Sequence, residues 1–289
     1  MKVLVIGGTG TVGSQAVKEL LARDVHVRVL TRSAEKAETL PPGVEPVVGD
    51  ILDPKTVRSV FNDIEGVFMV NPVSTTETSE GLFAVNGARM AHVKRFVYMS
   101  VHDYEKAVYL PHFGAKLPIE EAIKASGMEY TLLRPNNFYQ NDYWYKDAML
   151  KYGIYPQPIG NTGISRVDVR DIAEAAVIAL TTSGHEGETY NLVGPEVQTG
   201  QHTAEVWSKA LGTTIKYGGD DMDAWEQQSL QYLPSWMVFD FRLMYEFFQN
   251  YGLKATSEDI ERLTKVLGHA PRRFEDFAIE TAQKWVVMA

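Results

Sequence analysis

The sequence predicts an α/β fold: a doubly wound parallel Rossmann sheet with a smaller, mostly helical C-terminal substrate region. Three observations carry that prediction. Short apolar runs alternate with helix-patterned segments through residue 135; the first run leads straight into a glycine loop; and beyond residue 135 the rhythm breaks and aromatic residues crowd the chain.

Taken in order, "KVLVIG" is an apolar run closed by glycine, as expected of a strand buried on both faces. "GSQAVKELLAR" sets Val17, Leu20 and Leu21 at helical spacing, and "VHVRVLTR" alternates Val25, Val27 and Val29 against polar neighbours. "VEPVVGD" is a third strand, and "PKTVRSVFN" a helix with Pro54 in its first turn, where a missing N–H costs nothing. "GVFMV", a helix over "ETSEGLFAVNGARMAH", and "RFVYMS" follow. A helix over "IEEAIKASG" closes at Gly127, and "EYTLLRP" is the sixth strand. This βαβα alternation implies a parallel sheet covered on both faces, wound by right-handed crossovers. "GISRVDVRDIAEAAVIAL" reads as strand then helix, with Asp168 or Asp171 as N-cap, and "ETYNLVG" as one more strand. From residue 200 the pattern is mostly helical. The expected organisation is a Rossmann core over residues 1–150, with 164–193 contributing to it, and a small substrate or partner region over 194–289.

Composition narrows the function. The 289 residues are 45% hydrophobic and 22% charged, ordinary for a soluble chain. No apolar run approaches the roughly 20 residues that span a bilayer, and the N-terminal run is too short for a signal peptide, so a cytoplasmic location is expected. The absence of cysteine excludes disulfides, thiolate catalysis and cysteine-ligated zinc. His92, His185, His202 and His269 are scattered, and no metal site is expected. A net charge of −9, with only short basic spots such as Arg272-Arg273, argues against direct nucleic-acid binding.

Gly7, Gly10 and Gly13 form G-x-x-G-x-x-G in "GGTGTVG", with Thr9, Thr11 and Val12 between them. Following a strand and opening a helix, this spacing suits a dinucleotide. Glycine lets the turn adopt positive φ and lets the backbone approach a pyrophosphate, and the helix N-terminus offers free N–H groups. The bland alternative is a tight strand–helix turn with no ligand. At the end of the second strand, "VRVLTRS" carries Thr31 and Arg32 where an acid would hold the 2′-hydroxyl of NAD. A guanidinium there matches a 2′-phosphate, with Lys36 as a second charge, so NADP(H) is favoured over NAD(H).

The stretches "GGTGTVG", "LTRS", "GDILDP", "VNP", "FVYMS", "HFGAKLPIEEAIKASGMEYTLLRPNNFYQN" and "YNLVGPE" together resemble the NmrA-like branch of the atypical short-chain dehydrogenase/reductase superfamily, through about residue 195 and more loosely beyond. Some members of that family reduce quinones or other aromatic compounds with NADPH; others bind NADP without turnover and act as redox sensors. The resemblance implies that Asp50 and Ile51 flank the adenine, and that Asn71 and Pro72 lie near the cofactor ribose. Ser100 falls at the position of the superfamily's catalytic Ser or Thr. Lys116 matches the lysine that binds the nicotinamide ribose. Asn136, Asn137 and Phe138 would border the nicotinamide and the substrate.

"HFGAK" departs from the superfamily's Tyr-x-x-x-Lys: His112 stands where the tyrosine would donate a proton. Histidine can donate near neutral pH, and a quinone's reduced oxygens need little help. The alternative is a loop histidine without chemistry. Pro118 suits a helix start, which would leave His112 and Lys116 in an entry loop with their alignment open. Tyr104 and Tyr109 are alternative donors. Two aromatic clusters, residues 138–155 and 232–248, either stack on a flat substrate or pack as core or interface; Tyr139 and Tyr143 are the substrate candidates.

The expected function is an NADPH-dependent reductase of a planar unsaturated substrate such as a quinone, with Lys116 on the ribose and His112 or water as proton source. The alternative is a non-catalytic NADP(H) redox sensor acting through a protein partner. A sugar-nucleotide epimerase is weaker, because that chemistry uses the missing tyrosine.

Overall fold

The structure, a computed structural model, describes residues 1–287. Its elements in chain order are β1 (Lys2–Ile6), α1 (Thr11–Ala22), β2 (His26–Thr31), α2 (Ala34–Glu38), β3 (Val44–Val48), α3 (Pro54–Val60), β4 (Gly66–Met69), α4 (Glu77–Met90), β5 (Arg95–Met99), α5 (Pro111–Gly114), α6 (Leu117–Lys124) and β6 (Glu129–Pro135). Then come α7 (Lys146–Tyr152), β7 (Ile154–Tyr155), α8 (Val169–Thr181), β8 (Glu188–Leu192), α9 (Gly200–Leu211), β9 (Lys216–Tyr217), α10 (Met222–Ser229), α11 (Ser235–Tyr251), α12 (Ser257–Leu267) and α13 (Phe274–Val287).

The chain divides into two compact units. One holds Met1–Pro135 and Val169–Asn191, the other Asn136–Asp168 and the chain from Leu192 onward. The division therefore falls at the end of β6 and not at residue 150. The physical reason is aromatic packing: Tyr139 sits 5.1 Å and 5.6 Å, ring to ring, from Phe274 and Phe277 of α13.

The first unit is a seven-stranded sheet in the order β3-β2-β1-β4-β5-β6-β8. Its β1–β2, β1–β4, β2–β3, β4–β5 and β5–β6 pairings are all parallel. On one face, α3, α4 and α6 bring Val60, Ala84, Val85, Ala88, Ile119 and Ile123 against Leu4, Ile6, Met69, Phe96 and Tyr98. Successive strand residues face opposite ways, so Val3 and Val5, fully buried, serve the other face, where α1 and α8 pack together. That is why β1 is apolar throughout. Pro46 lies in the edge strand β3, where a missing N–H breaks no ladder. Strand order reverses between β1 and β4, so the carboxyl ends of those strands form the switch point where doubly wound sheets bind ligands.

The second unit pairs β7 with β9 and is otherwise mainly helical. The strand expected in "GISRV" is reduced to isolated bridges, Ile164 with Gln198 and Leu253, and Val167 with Phe138. At the centre lies a buried ion pair, Arg166 Nη2 to Asp142 Oδ1 at 2.6 Å, both side chains fully enclosed. Asp142 also accepts from Trp207 Nε1 at 2.8 Å and from the Tyr155 hydroxyl at 3.1 Å. Trp207 stacks on Trp285 at 5.0 Å. Much of the aromatic segment 138–155 is thus core: Tyr139, Met149 and Tyr155 are buried in this cluster. The later cluster is mixed: Tyr245, Phe247 and Phe248 are buried, whereas Tyr232 and Phe239 are exposed.

Candidate functional site

The glycine loop follows from two close approaches and two hydrogen bonds. Gly7 sits at φ +82°, and a Cβ there would lie 2.4 Å from the carbonyl oxygen of Val70 at the end of β4. A Cβ on Gly13 would lie 2.2 Å from the Gly7 oxygen. The Gly10 N–H donates to that same oxygen at 3.0 Å, and the Gly10 carbonyl accepts from Ser14 at 2.9 Å. The loop folds back on itself, and the first N–H groups of α1, at Thr11, Val12 and Gly13, have no acceptor within the helix. No side chain caps α1 and no acid occupies its first turn. An uncapped helix start with close-approach glycines at a switch point fits a dinucleotide pyrophosphate.

At the end of β2, Thr31 is buried and its hydroxyl accepts from the Ser33 N–H at 3.2 Å. Arg32 is exposed and makes no ion pair among the described residues. Lys36 is exposed on α2. Asp50 folds its carboxylate onto the Leu52 N–H at 2.9 Å, and Ile51 packs into the sheet core beside Leu30, leaving only a small surface.

A polar cluster gathers beyond the ends of β4 and β5. Asn71 is buried; its amide reaches the Glu77 carbonyl at 3.5 Å, and its Oδ1 accepts no hydrogen bond among the described residues. Pro72 beside it is exposed. Ser100 is buried with an unpaired hydroxyl while its N–H bonds Leu133 at 2.7 Å. Lys116 is buried, and its ammonium donates to Oε1 of Glu77, which is itself enclosed. Glu77 is the residue the sequence reading missed. Burial pushes its carboxyl pKa up, against the opposing pull of Lys116 and of nearby His112. Two lysine-to-acid features make the contact: a Cβ on Gly81 would lie 2.4 Å from Ile119, so α4 and α6 approach closely, and the Thr78 hydroxyl donates to the Ala115 carbonyl at 3.0 Å.

"HFGAK" is helical rather than an entry loop. His112 lies in the single turn of α5, Lys116 keeps helical dihedrals, and Pro118 stands in the first turn of α6. Gly114 is required because Val108's carbonyl oxygen would lie 2.4 Å from a Cβ. His112 and Lys116 therefore both act on Glu77. Tyr98, whose ring is in the sheet core, has an unpaired buried hydroxyl; burial, then the charges of Glu77 and Glu120, push its pKa well above 10.0. Tyr104 is packed: its hydroxyl reaches Glu120 at 3.4 Å and Arg134 covers its ring at 4.6 Å, and burial likewise raises its pKa. Tyr109 is exposed.

The remaining candidates belong to the second unit. The Asn136 amide donates to the Leu253 carbonyl at 2.8 Å, and its oxygen accepts from the Asn137 N–H. Phe138 bridges to Val167 and is partly exposed. Tyr139 has no exposed surface and donates to the Arg272 carbonyl at 3.1 Å, so its ring offers no face to a substrate. Tyr143 remains half exposed, 5.7 Å from the Phe277 ring.

The fold and the uncapped glycine cradle define a Rossmann-type protein with a dinucleotide-shaped site. More narrowly, the model of the NmrA-like family matches residues 1–278, and the chain belongs to that family. It is 34% identical over 217 residues, 74% of this chain and 76% of the other, to an NAD(P)H azoreductase of Xenophilus azovorans. It is 32% identical over 210 residues, 67% of this chain and 65% of the other, to photosystem II assembly factor Ycf39 of Guillardia theta. Among solved structures, an NADPH-dependent quinone oxidoreductase of Escherichia coli complexed with NADPH shares the fold. That match has a TM-score of 0.85 at 22% identity and covers 96% of this chain and 99% of that one. No helix among the described residues is long and apolar enough to cross a membrane.

Proposed function

We propose that this protein is an NADPH-dependent reductase of a planar, unsaturated small molecule, quinone-like or azo-like. One observation carries the reading: an uncapped glycine cradle and a buried lysine ammonium share the carboxyl-end side of one parallel sheet. The cradle's N–H groups hold a pyrophosphate, and Lys116 donates to the hydroxyls of the nicotinamide ribose. Arg32, exposed and without an ion pair among the described residues, supports NADPH over NADH, because its planar fork suits a 2′-phosphate. Asn71 and Ser100 offer buried unpaired polar atoms beside this end of the sheet.

Bound there, the nicotinamide supplies a hydride. His112, in the single turn of α5, is the candidate donor to the oxygen or nitrogen anion that hydride transfer leaves, with solvent as the other source. Tyr98 keeps its proton too firmly to serve as an acid, since burial raises its pKa. A reduced quinone is a weak base that solvent can protonate, which fits the missing tyrosine better than a simple ketone does. The relative named as an NAD(P)H azoreductase supports a conjugated acceptor.

The test is NADPH oxidation by pure protein, followed at the nicotinamide absorbance band, with small quinones and an azo dye, beside a cofactor-binding titration. Turnover that disappears in Lys116→Ala is expected. Tight NADPH binding without turnover would instead support a second reading, an NADP(H) sensor acting on a protein partner. The relative named as an assembly factor favours that second reading.

A further inference from the structure

We propose that Glu77 is the positioning residue for Lys116, fixing the ammonium that meets the nicotinamide half of the cofactor. The inference rests on the cofactor reading of Lys116 given above. Glu77 opens α4, and its side chain is 1% exposed; Lys116 is similarly enclosed. An acid in the first turn of a helix ordinarily faces water and complements the dipole. Here it is turned inward by the close approach of α4 and α6 at Gly81 and Ile119, and by the Thr78 bond to Ala115 one residue before Lys116. Nothing about helix α4 on its own requires a buried acid at this place.

The chemistry of the pair is unequal. A lysine ammonium has three N–H donors and a long, rotamer-rich stem. Among the described residues, Glu77 Oε1 is the hydrogen-bond acceptor of Lys116 Nζ. That contact spends one donor and orders the stem, leaving two donors for ligand hydroxyls. It also supplies the counter-charge without which an enclosed ammonium is strongly disfavoured. The second oxygen of Glu77, together with the hydroxyls of Tyr98 and Ser100 and Oδ1 of Asn71, forms no hydrogen bond among the described residues. Four unpaired polar atoms, from the start of α4, from β5 and from just beyond the ends of β4 and β5, are more than a structural ion pair needs, and they point to a site built around Lys116 for a polar guest.

The experiment is a binding cycle on the full chain. Affinities for NADPH and for adenosine 2′,5′-bisphosphate, the adenine half alone, are measured by titration calorimetry. The proteins are wild type, Glu77→Gln, Lys116→Ala and the double variant. Glu77→Gln is expected to weaken NADPH by about tenfold, the scale of a lysine's rotamer freedom, and to leave the adenine half within about twofold. In the Lys116→Ala background it should cost nothing further. Loss of both ligands together, additive losses in the double variant, or an unchanged NADPH affinity would each overturn the proposal. Should Lys116→Ala bind NADPH as wild type does, the cofactor reading of Lys116 fails, and the positioning role fails with it. If Lys116→Ala loses affinity while Glu77→Gln does not, only the positioning role fails.

Discussion

A side chain at position 13 would begin 2.2 Å from the carbonyl oxygen of Gly7, six residues earlier across the loop. The same oxygen accepts from Gly10, so it cannot move aside without opening the turn. Gly13→Ala should therefore push α1 off the loop and destabilise the chain by about 1–3 kcal/mol, the usual cost of local backbone strain. NADPH affinity should fall with it by tenfold or more on the order-of-magnitude scale of lost phosphate contacts. Thermal unfolding and a cofactor titration on the same preparation check both. An unchanged affinity would remove the loop from the binding site.

On the proposed reading, Arg32 would set the choice between the two nicotinamide dinucleotides. Exposed and without an ion pair among the described residues, its guanidinium is available to a 2′-phosphate. Arg32→Ala should weaken NADPH by about tenfold while leaving NADH nearly unchanged, since one charge-assisted hydrogen bond contributes about 1.5–3 kcal/mol before solvent screening. Paired titrations with the two cofactors read this directly. Equal losses for both would mean that Arg32 acts on the loop rather than on the phosphate.

Glu77 gives stability a pH dependence of definite sign. Its folded pKa lies above the ordinary 4.5, because burial outweighs the attraction of Lys116 and His112. Its contribution is therefore full below 4.5 and is lost as the pH rises through the folded value. Measured by urea unfolding, the stability difference between wild type and Glu77→Gln should shrink as the pH is raised above 4.5, by no more than about 1.4 kcal/mol per pH unit for one proton. Glu80, Lys116, His112 and Tyr98 are coupled to the same carboxyl, so the change belongs to the coupled group and its sign is the test. A difference that grows with pH would contradict the burial argument.

In the second unit, Arg166 and Asp142 are both fully enclosed, and Asp142 also serves Trp207 and Tyr155. Arg166→Met should cost about 3–5 kcal/mol, the penalty of leaving one partner of a buried pair uncompensated. Replacing both, Arg166→Met with Asp142→Leu, should recover part of that loss. Urea midpoints of the two variants test the point.

The sheet was legible because its information is local. A strand buried on both faces must be apolar throughout, and "KVLVIG" and "GVFMV" are; a helix must repeat its apolar residues at helical spacing, and Val17, Leu20 and Leu21 do. The glycine loop was legible for the same reason, since the spacing of Gly7, Gly10 and Gly13 is a property of one short turn. "HFGAK" was harder. Pro118 suggested a loop, yet a proline in the first turn of α6 lets α5 and α6 run nearly end to end, which keeps His112 and Lys116 on helical dihedrals.

Tyr139 and Glu77 mark where local information ends. Tyr139 stands in a run of aromatics that serves a flat ligand or a core equally well; only the packing of Phe274 and Phe277, far along the chain, makes it core. Glu77 looks like any acid at a helix start, and only the approach of α4 to α6 encloses it against Lys116. By itself the sequence determined the alternation of strands and helices in the sheet through β6, the glycine turn and the family, because each is written in contiguous residues. The tertiary structure decided which polar side chains lose their water and which partners they find, because burial depends on segments distant in sequence and adjacent in space.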